Sequence, residues 1–258
     1  MRHGQSTGNV GGTLMGQSDH PLTTLGEEQA RAAATRLAPF GPMPVHSSDL
    51  PRAMATAERI VGAWAEQPDP GAALAGVVRV RPRVLPDPRL REIDLGDYEG
   101  RSWEEFEADT ALTDAFAADP YGTALPGGES LAHLEARVMA AVRDVLAAHG
   151  AAPDGGLSTD AVVSADASAL ASGFHTAETG QSVCVVAHDG PIRAILNHYL
   201  GVPPEKWWTL STTHGGVSLL EFGGGWVNVR YANATSHLAG LGETVYVPSE
   251  PDDEPAAG

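Results

Sequence analysis

The sequence VCVVA at residues 183–187 is followed directly by His188-Asp189-Gly190-Pro191. An apolar run of this length predicts a buried strand, and the residues after it lie where that strand passes into a helix. Ligands of parallel sheets bind at the carboxyl ends of the strands. His188 is therefore a candidate functional residue as well as a marker of the fold.

The rest of the chain alternates predicted helices with predicted strands. Capping signals and apolar periodicity predict helices over residues 24–38, from Pro51, from Ser102, and from Ser130 to Gly150. Strands are predicted over residues 45–47 and 77–80, with a hairpin at a sheet edge over 217–222 and 226–231. This alternation predicts an α/β fold, a three-layer αβα sandwich with a mostly parallel central sheet and helices on both faces.

Composition and charge exclude several classes of protein. The 258 residues are 42% hydrophobic with no run near the ~18 apolar residues of a membrane helix. A net charge of −17 disfavours nucleic acid and anionic membrane surfaces as partners. The first residues lack a signal peptide pattern, and the single Cys184 cannot form an internal disulfide, so we expect a cytoplasmic protein.

We interpret residues 1–240 as one domain, because the candidate site residues lie far apart and share one site only if the segments fold together. Residues 151–181 are rich in small and polar residues, which predicts a flexible insertion. A lid is the alternative, since Phe174 and His175 could touch a substrate. Residues 241–258 are acidic and rich in proline and alanine, which predicts a disordered tail.

The chain begins with a second candidate histidine, in Arg2-His3-Gly4, followed by small polar residues up to Asn9. A histidine beside a fixed positive charge and a glycine can act as a neutral nucleophile toward an anion. Two further segments supply candidate functional groups. SSDLPRA at 47–53 contains an arginine, and residues 90–100 contain carboxylates in a glycine-bounded loop.

These segments, with PGGES at 126–130 and HDG at 188–190, resemble the histidine phosphatase superfamily, the phosphoglycerate mutase-like proteins. The resemblance covers residues 1–235 and includes the motifs of the family in their usual order. It implies a phosphoglycerate mutase-like fold. It also implies that His3 is the nucleophile, that His188 is its partner, and that the guanidinium groups of Arg2 and Arg52 hold the phosphate.

The resemblance assigns the remaining site residues as well. It makes Glu92 the acid that protonates the leaving oxygen and the base that activates water. Ser6 and Asn9 match positions that hydrogen-bond the phosphate, and His214 lies near a position that lines the pocket. Asp189 and Gly190 are grouped with the substrate-binding residues by their place beside His188, without a firm role. Protonated His188 would add charge to the phosphate site.

The function predicted from these residues is hydrolysis of a small phosphorylated metabolite through a phosphohistidine. No metal or other cofactor is expected, because the histidines lack metal-ligand spacing. Phosphotransfer of the phosphoglycerate mutase type is an alternative, although residues 90–100 resemble the phosphatase branches more closely. A catalytically weak binding or scaffold protein is another. The natural substrate is left open, and so is a homodimer formed through an edge strand.

The start of the chain departs from the family pattern. In the family the RHG motif follows an apolar strand, whereas here only Met1 precedes Arg2. We therefore predict that the sequence starts too late or that its first strand is shortened. A weak scaffold protein would be favoured if the loss of that strand displaced His3.

Overall fold

A computed structural model describes residues 1–66, 83–150, 182–223 and 226–241. The helices are α1 (Thr24–Leu37), α2 (Pro51–Glu66), α3 (Trp103–Ala108), α4 (Thr110–Ala118), α5 (Leu131–Ala148) and α6 (Asp189–Leu200). The strands are β1 (Val45–Ser47), β2 (Val84–Pro86), β3 (Cys184–Val186), β4 (Val217–Gly223) and β5 (Trp226–Ala234). This succession of strands and helices is the predicted α/β architecture.

The central sheet has the order β2-β1-β3, and its strands are parallel. Residues 1–3 run beside β3, where Arg2 pairs with Ala187 in the parallel sense. The His3 N–H donates to the Ala187 carbonyl at 2.9 Å, and on the other side the Arg2 N–H donates to the Gly216 carbonyl at 3.1 Å. His3 is therefore held from two sides at the carboxyl edge of the sheet.

Helices cover both faces of this sheet. On one face, α1 and α2 pack against Val45 and Val186 through a core that includes Ile60 and Trp64. On the other face, α5 and α6 contribute a second cluster with Val185 at its margin. Val185 and Val186 point to opposite sides because side chains alternate along a strand. The layered sandwich predicted from the sequence is thus confirmed.

Capping side chains fix most of the predicted helix starts. Ser102 accepts from the Glu105 N–H at 3.1 Å while the Glu105 carboxylate accepts from the Ser102 N–H at 2.8 Å, a complete capping box. Ser130 caps α5 through the His133 N–H at 3.2 Å. The cap of α1 is Thr23, one residue before the predicted start of this helix at residue 24. Its hydroxyl accepts from the Gly26 N–H at 3.0 Å.

The strands agree with the sequence predictions only in part. The predicted hairpin forms, and within the described residues β4 and β5 make a two-stranded antiparallel sheet. The strand beside β1 is β2 at residues 84–86, which the sequence analysis missed. The predicted strand at 77–80 lies outside the described residues, as do the 151–181 insertion and the tail beyond residue 241.

Among the helices that the structure describes, none is both long enough and apolar enough to cross a membrane.

Candidate active site

The candidate residues come from the carboxyl ends of neighbouring parallel strands. His3 follows the segment beside β3, and Arg52 lies in the first turn of α2 after β1. Glu92 lies in the loop after β2, and His188 is the N-cap of α6 directly after β3. Because these ends meet at one edge of the sheet, residues from opposite ends of the chain form one site.

His3 is buried and its ring orientation is fixed by a backbone carbonyl. Its Nδ1 lies 2.6 Å from the Gly4 carbonyl oxygen, so Nδ1 carries the proton and Nε2 keeps its lone pair. Burial lowers the pKa of His3 well below its usual value, and the neighbouring His188 and His214 rings, with Arg52 and Arg2, lower it further. The ring is therefore a neutral imidazole.

His188 lies beside His3, with the two ring centroids 4.8 Å apart. Its Nε2 lies 2.8 Å from the Ser48 hydroxyl oxygen, which itself accepts from the Leu50 N–H at 3.2 Å. Burial lowers the pKa of His188 well below its usual value, and Arg52 adds to this effect. The sequence analysis considered a protonated His188, whereas this environment favours the neutral ring. The approach of a phosphate dianion would counteract the repulsion by the arginines.

Arg52 is almost fully buried, and its guanidinium is held by main-chain oxygens. One terminal nitrogen donates to the Gly16 carbonyl at 2.6 Å and the other to the Ser18 carbonyl at 2.8 Å. Burial lowers the pKa of Arg52, but an arginine side chain stays charged in proteins. A fixed, desolvated cation thus lies next to the two imidazoles.

Glu99, one of the carboxylates of residues 90–100, holds the loop that orients Arg52. Its carboxylate accepts from the N–H groups of Gln17 at 2.6 Å, Gly16 at 3.2 Å and Ser18 at 3.4 Å. A side chain at Gly16 would collide with it, since an added Cβ would lie 2.1 Å from the Glu99 oxygen. The loop therefore presents its N–H groups to Glu99 and its carbonyls to Arg52.

Arg2 is oriented by Asp189. The Arg2 guanidinium donates to the Thr212 carbonyl at 2.7 Å and lies 3.7 Å from an Asp189 carboxylate oxygen. Asp189 also accepts from the Arg193 side chain at 2.7 Å and from the Thr212 hydroxyl. Its carboxylate is thus engaged with two arginines and a hydroxyl. This arrangement points to a positioning role, whereas the sequence analysis had grouped Asp189 with the substrate-binding residues.

Glu92 is buried, and its carboxyl group accepts hydrogen bonds from the N–H groups of Gly190 and Ile93, each at 3.0 Å. Burial raises the pKa of Glu92, and the Asp189 carboxylate raises it further. A carboxyl group with a raised pKa keeps its proton to higher pH, and when protonated it can give that proton to a leaving oxygen. The Gly190 N–H, predicted to contact substrate, is occupied by Glu92.

The other predicted substrate-binding residues differ in their surroundings. Ser6 is bonded to Asn9, whose side-chain oxygen accepts from the Ser6 hydroxyl at 2.7 Å and the Ser6 N–H at 2.9 Å. His214 faces His3 with the ring centroids 5.5 Å apart. Burial, with Arg2 and Arg52, lowers the pKa of His214 to about 2. Both its ring nitrogens are buried without a hydrogen-bond partner among the described residues.

In the part of the chain that the structure describes, no group of three His, Cys, Asp or Glu side chains has the arrangement that a metal ion needs. The arrangement offers instead a neutral imidazole, two guanidinium groups and a carboxyl group with a raised pKa. Such a set can bind an anion, attack it and protonate what leaves.

Comparison with known proteins gives the same assignment as the motifs. The sequence profile described as "Histidine phosphatase superfamily (branch 1)" matches residues 1–153 and 150–235. The chain is 32% identical over 226 residues to the glucosyl-3-phosphoglycerate phosphatase of Mycobacterium tuberculosis, which covers 88% of this chain and 84% of that protein. It is 27% identical to a "Probable phosphoglycerate mutase" of Yersinia enterocolitica, over 92% of this chain and 93% of that one.

A solved structure of the mycobacterial glucosyl-3-phosphoglycerate phosphatase, in complex with VO3, has the same fold. It matches with a TM-score of 0.67 and 28% sequence identity, over 90% of this chain and 96% of that chain.

Proposed function

This chain belongs to the histidine phosphatase superfamily and is a phosphatase of small phosphorylated metabolites, and from that premise we propose that it works through a phosphohistidine on His3. The observation that carries the proposal is the neutral, buried ring of His3, whose Nε2 lone pair is left available by the Nδ1 contact with Gly4. Arg2, Arg52 and His188 surround this ring, and the buried Glu92 completes the site.

In the first half-reaction the Nε2 lone pair of His3 attacks phosphorus. The new P–N bond forms as the bond between phosphorus and the ester oxygen breaks, and the electron pair leaves with that oxygen. Glu92 transfers its proton to the departing alkoxide, so the alcohol leaves neutral. Arg2 and Arg52 neutralise the charge on the phosphoryl oxygens, which removes the need for a metal ion in this scheme.

In the second half-reaction Glu92, now a carboxylate, accepts a proton from water. The water oxygen attacks phosphorus and the P–N bond breaks. Inorganic phosphate leaves, and both His3 and Glu92 return to their starting protonation states. One carboxyl group therefore serves both steps, and the positions of the hydroxyl that leaves and the water that enters coincide.

The mutase alternative uses the same chemistry with a second alcohol in place of water. The mutase reaction stays the first alternative because one relative carries the name of a mutase. A displaced His3 would favour the scaffold alternative. The ring of His3 lies 4.8 Å from that of His188, which supports the catalytic proposal.

The identity of the metabolite and the setting of the enzyme are further proposals. Because one relative is a glucosyl-3-phosphoglycerate phosphatase by name, phosphoglycerate derivatives and sugar phosphates form the first panel to test. Cytoplasmic action is supported by Cys184, which is a buried free thiol. The homodimer and the exclusion of nucleic acid remain predictions of the sequence.

The experiment that tests the mechanism is hydrolysis of p-nitrophenyl phosphate with and without a chelator. We expect full activity in the chelator and a loss of about four orders of magnitude or more in His3→Ala. His133→Ala, an exposed histidine in the first turn of α5, is the matched control and should retain activity. Activity that vanished in the chelator, or that survived in His3→Ala, would contradict the proposal.

The same preparation separates phosphatase from mutase. Release of inorganic phosphate from the metabolite panel supports hydrolysis. Transfer of phosphate between hydroxyls of phosphoglycerate without net release would assign the mutase reaction instead.

A further inference from the structure

Arg137 lies in the middle of α5, and its guanidinium reaches three carbonyl oxygens of the segment that carries Glu92. One terminal nitrogen donates to the carbonyls of Arg89 at 2.8 Å and Arg91 at 2.7 Å. The other donates to the carbonyl of Glu92 itself at 2.8 Å. A single side chain thus binds three carbonyls within four consecutive residues.

Glu129, the glutamate of the PGGES motif, holds Arg137 in this orientation. The pair is bidentate, with Nε 2.7 Å from one carboxylate oxygen of Glu129 and a terminal nitrogen 2.8 Å from the other. Glu129 is itself attached to the far end of the Glu92 segment, because its N–H donates to the Asp94 carbonyl at 2.9 Å. The ion pair therefore links both ends of residues 89–94.

The peptide of Glu92 is fixed more firmly than that of a typical loop residue. Its carbonyl accepts from Gln17 at 3.2 Å as well as from Arg137. The Glu92 carboxyl group, by contrast, is held by two backbone N–H groups and no charged side chain among these contacts. The location of the carboxyl group thus depends on where the main chain is placed.

We propose that Arg137, braced by Glu129, is a positioning residue that sets the reach of the Glu92 carboxyl group toward the leaving oxygen. This inference rests on the proposed function, in which Glu92 protonates that oxygen. A planar guanidinium can bind several carbonyls at fixed angles, whereas an ammonium group is a point charge without that fork. An error of about 1 Å in placing a catalytic group can cost about a hundredfold in rate.

A comparison of two substrates tests this role. An alkyl phosphate such as glycerol 2-phosphate must have its leaving oxygen protonated, whereas p-nitrophenolate leaves as a stable anion and gains little from an acid. Damage to the placement of Glu92 should therefore lower kcat/KM for the alkyl phosphate selectively. Damage to the fold or to the phosphate-binding residues should lower kcat/KM for both substrates together.

The variants are Arg137→Lys and Glu129→Gln, with Arg143→Lys as the matched control on an exposed position of the same helix. Glu129→Gln keeps the Arg137 side chain and weakens only the ion pair that orients it, so it keeps the test informative if Arg137→Lys fails to fold. Each variant is assayed with both substrates and with inorganic phosphate as inhibitor, and its thermal unfolding is measured alongside.

We expect Arg137→Lys to lower kcat/KM for glycerol 2-phosphate by about 10- to 100-fold and for p-nitrophenyl phosphate by less than about threefold. Glu129→Gln should show the same selectivity with a smaller loss, and inhibition by inorganic phosphate should be unchanged in both variants. Parallel losses on the two substrates, or no loss on either, would overturn the positioning role. A wild-type enzyme inactive on both substrates would overturn the proposed function itself, and this inference with it.

Discussion

Burial shifts the pKa values of the titratable groups in opposite directions in the two halves of the site. In the phosphate half, formed by Arg2, Arg52 and the three imidazoles of His3, His188 and His214, burial lowers the pKa of each histidine. In the acid half, formed by Glu92 and its neighbours, burial raises the pKa of a carboxyl group. Desolvation disfavours the charged form in both cases. One physical effect thus favours the neutral form of the nucleophile and the protonated form of the acid.

The halves also differ in what is held in place. In the phosphate half the functional group itself is held by hydrogen bonds. The Arg52 guanidinium donates to two carbonyls of the loop that Glu99 anchors. In the acid half the main chain is bound, since Arg137 and Gln17 donate to the Glu92 carbonyl. Changes in the phosphate half should therefore affect all substrates alike, and changes in the acid half should depend on the leaving group.

The largest effect that sharpens this comparison is expected at Arg52. Arg52→Lys keeps the charge but loses the planar fork that bridges the Gly16 and Ser18 carbonyls, so we expect kcat/KM to fall by about a hundredfold. The loss should be equal for p-nitrophenyl phosphate and glycerol 2-phosphate in steady-state assays. Arg59→Lys, on the exposed part of the same helix, is the control and should stay near wild type. A loss confined to glycerol 2-phosphate would break the division between the halves.

A smaller effect is expected at Glu99, which acts on Arg52 through the main chain. Glu99→Gln places an amide NH2 against backbone N–H groups and removes bonds to a charged acceptor, each worth about 1.5–3 kcal/mol. We expect inhibition by inorganic phosphate to weaken by about tenfold, with equal losses in kcat/KM on both substrates. Glu104→Gln, an exposed glutamate in the first turn of α3, should change neither. Unchanged phosphate inhibition in Glu99→Gln would refute the link to Arg52.

The smallest effect concerns the pH profile of the acid half. Glu92 must be protonated to act, so kcat/KM for glycerol 2-phosphate should fall as pH rises through its raised pKa. Asp189→Asn removes a negative charge that raises this pKa, so the descending limb should move to lower pH. The pKa of His3 is lowered, so loss of its lone pair by protonation lies well below the usual histidine range.

The profile is measured from kcat/KM between mildly acidic and mildly alkaline pH, with Asp114→Asn at an exposed position as control. The control should superimpose on wild type. A descending limb that stayed in place in Asp189→Asn, or moved to higher pH, would show that Asp189 does not act on Glu92.

Local signals in the sequence predicted much of the fold. The Ser102 and Ser130 caps and the strand-to-helix passage at His188 depend on residues close in sequence, and the structure has all three. The strand β2 was missed because Val84-Leu85-Pro86 is short and has no alternation, and only its pairing with β1 defines it. The hairpin was recognised from its own residues, and β4 and β5 pair in the antiparallel sense.

The site residues also fall into two groups, those predicted from local motifs and those that act through contacts distant in sequence. The motifs pointed to His3, Arg52, Glu92 and His188, and the structure places these residues at one edge of the sheet. Arg137 and Gln17 were missed because they act on backbone carbonyls 45 and 75 residues away in sequence, and no local pattern reports such a contact. The neutral state of His188 was equally hidden, because it follows from burial and from Arg52 and Arg2 in the folded protein.

The most direct measurement is the trapping of the covalent intermediate. The enzyme is mixed with an excess of substrate, quenched within milliseconds in alkaline denaturant, where phosphohistidine survives, and digested for mass spectrometry. We expect one phosphoryl group on the peptide that contains His3. We expect none in the His3→Ala variant, in which Glu92 is unchanged. A phosphoryl group on another residue, or turnover with phosphate release but no phosphorylated His3 under conditions that preserve phosphohistidine, would contradict the account.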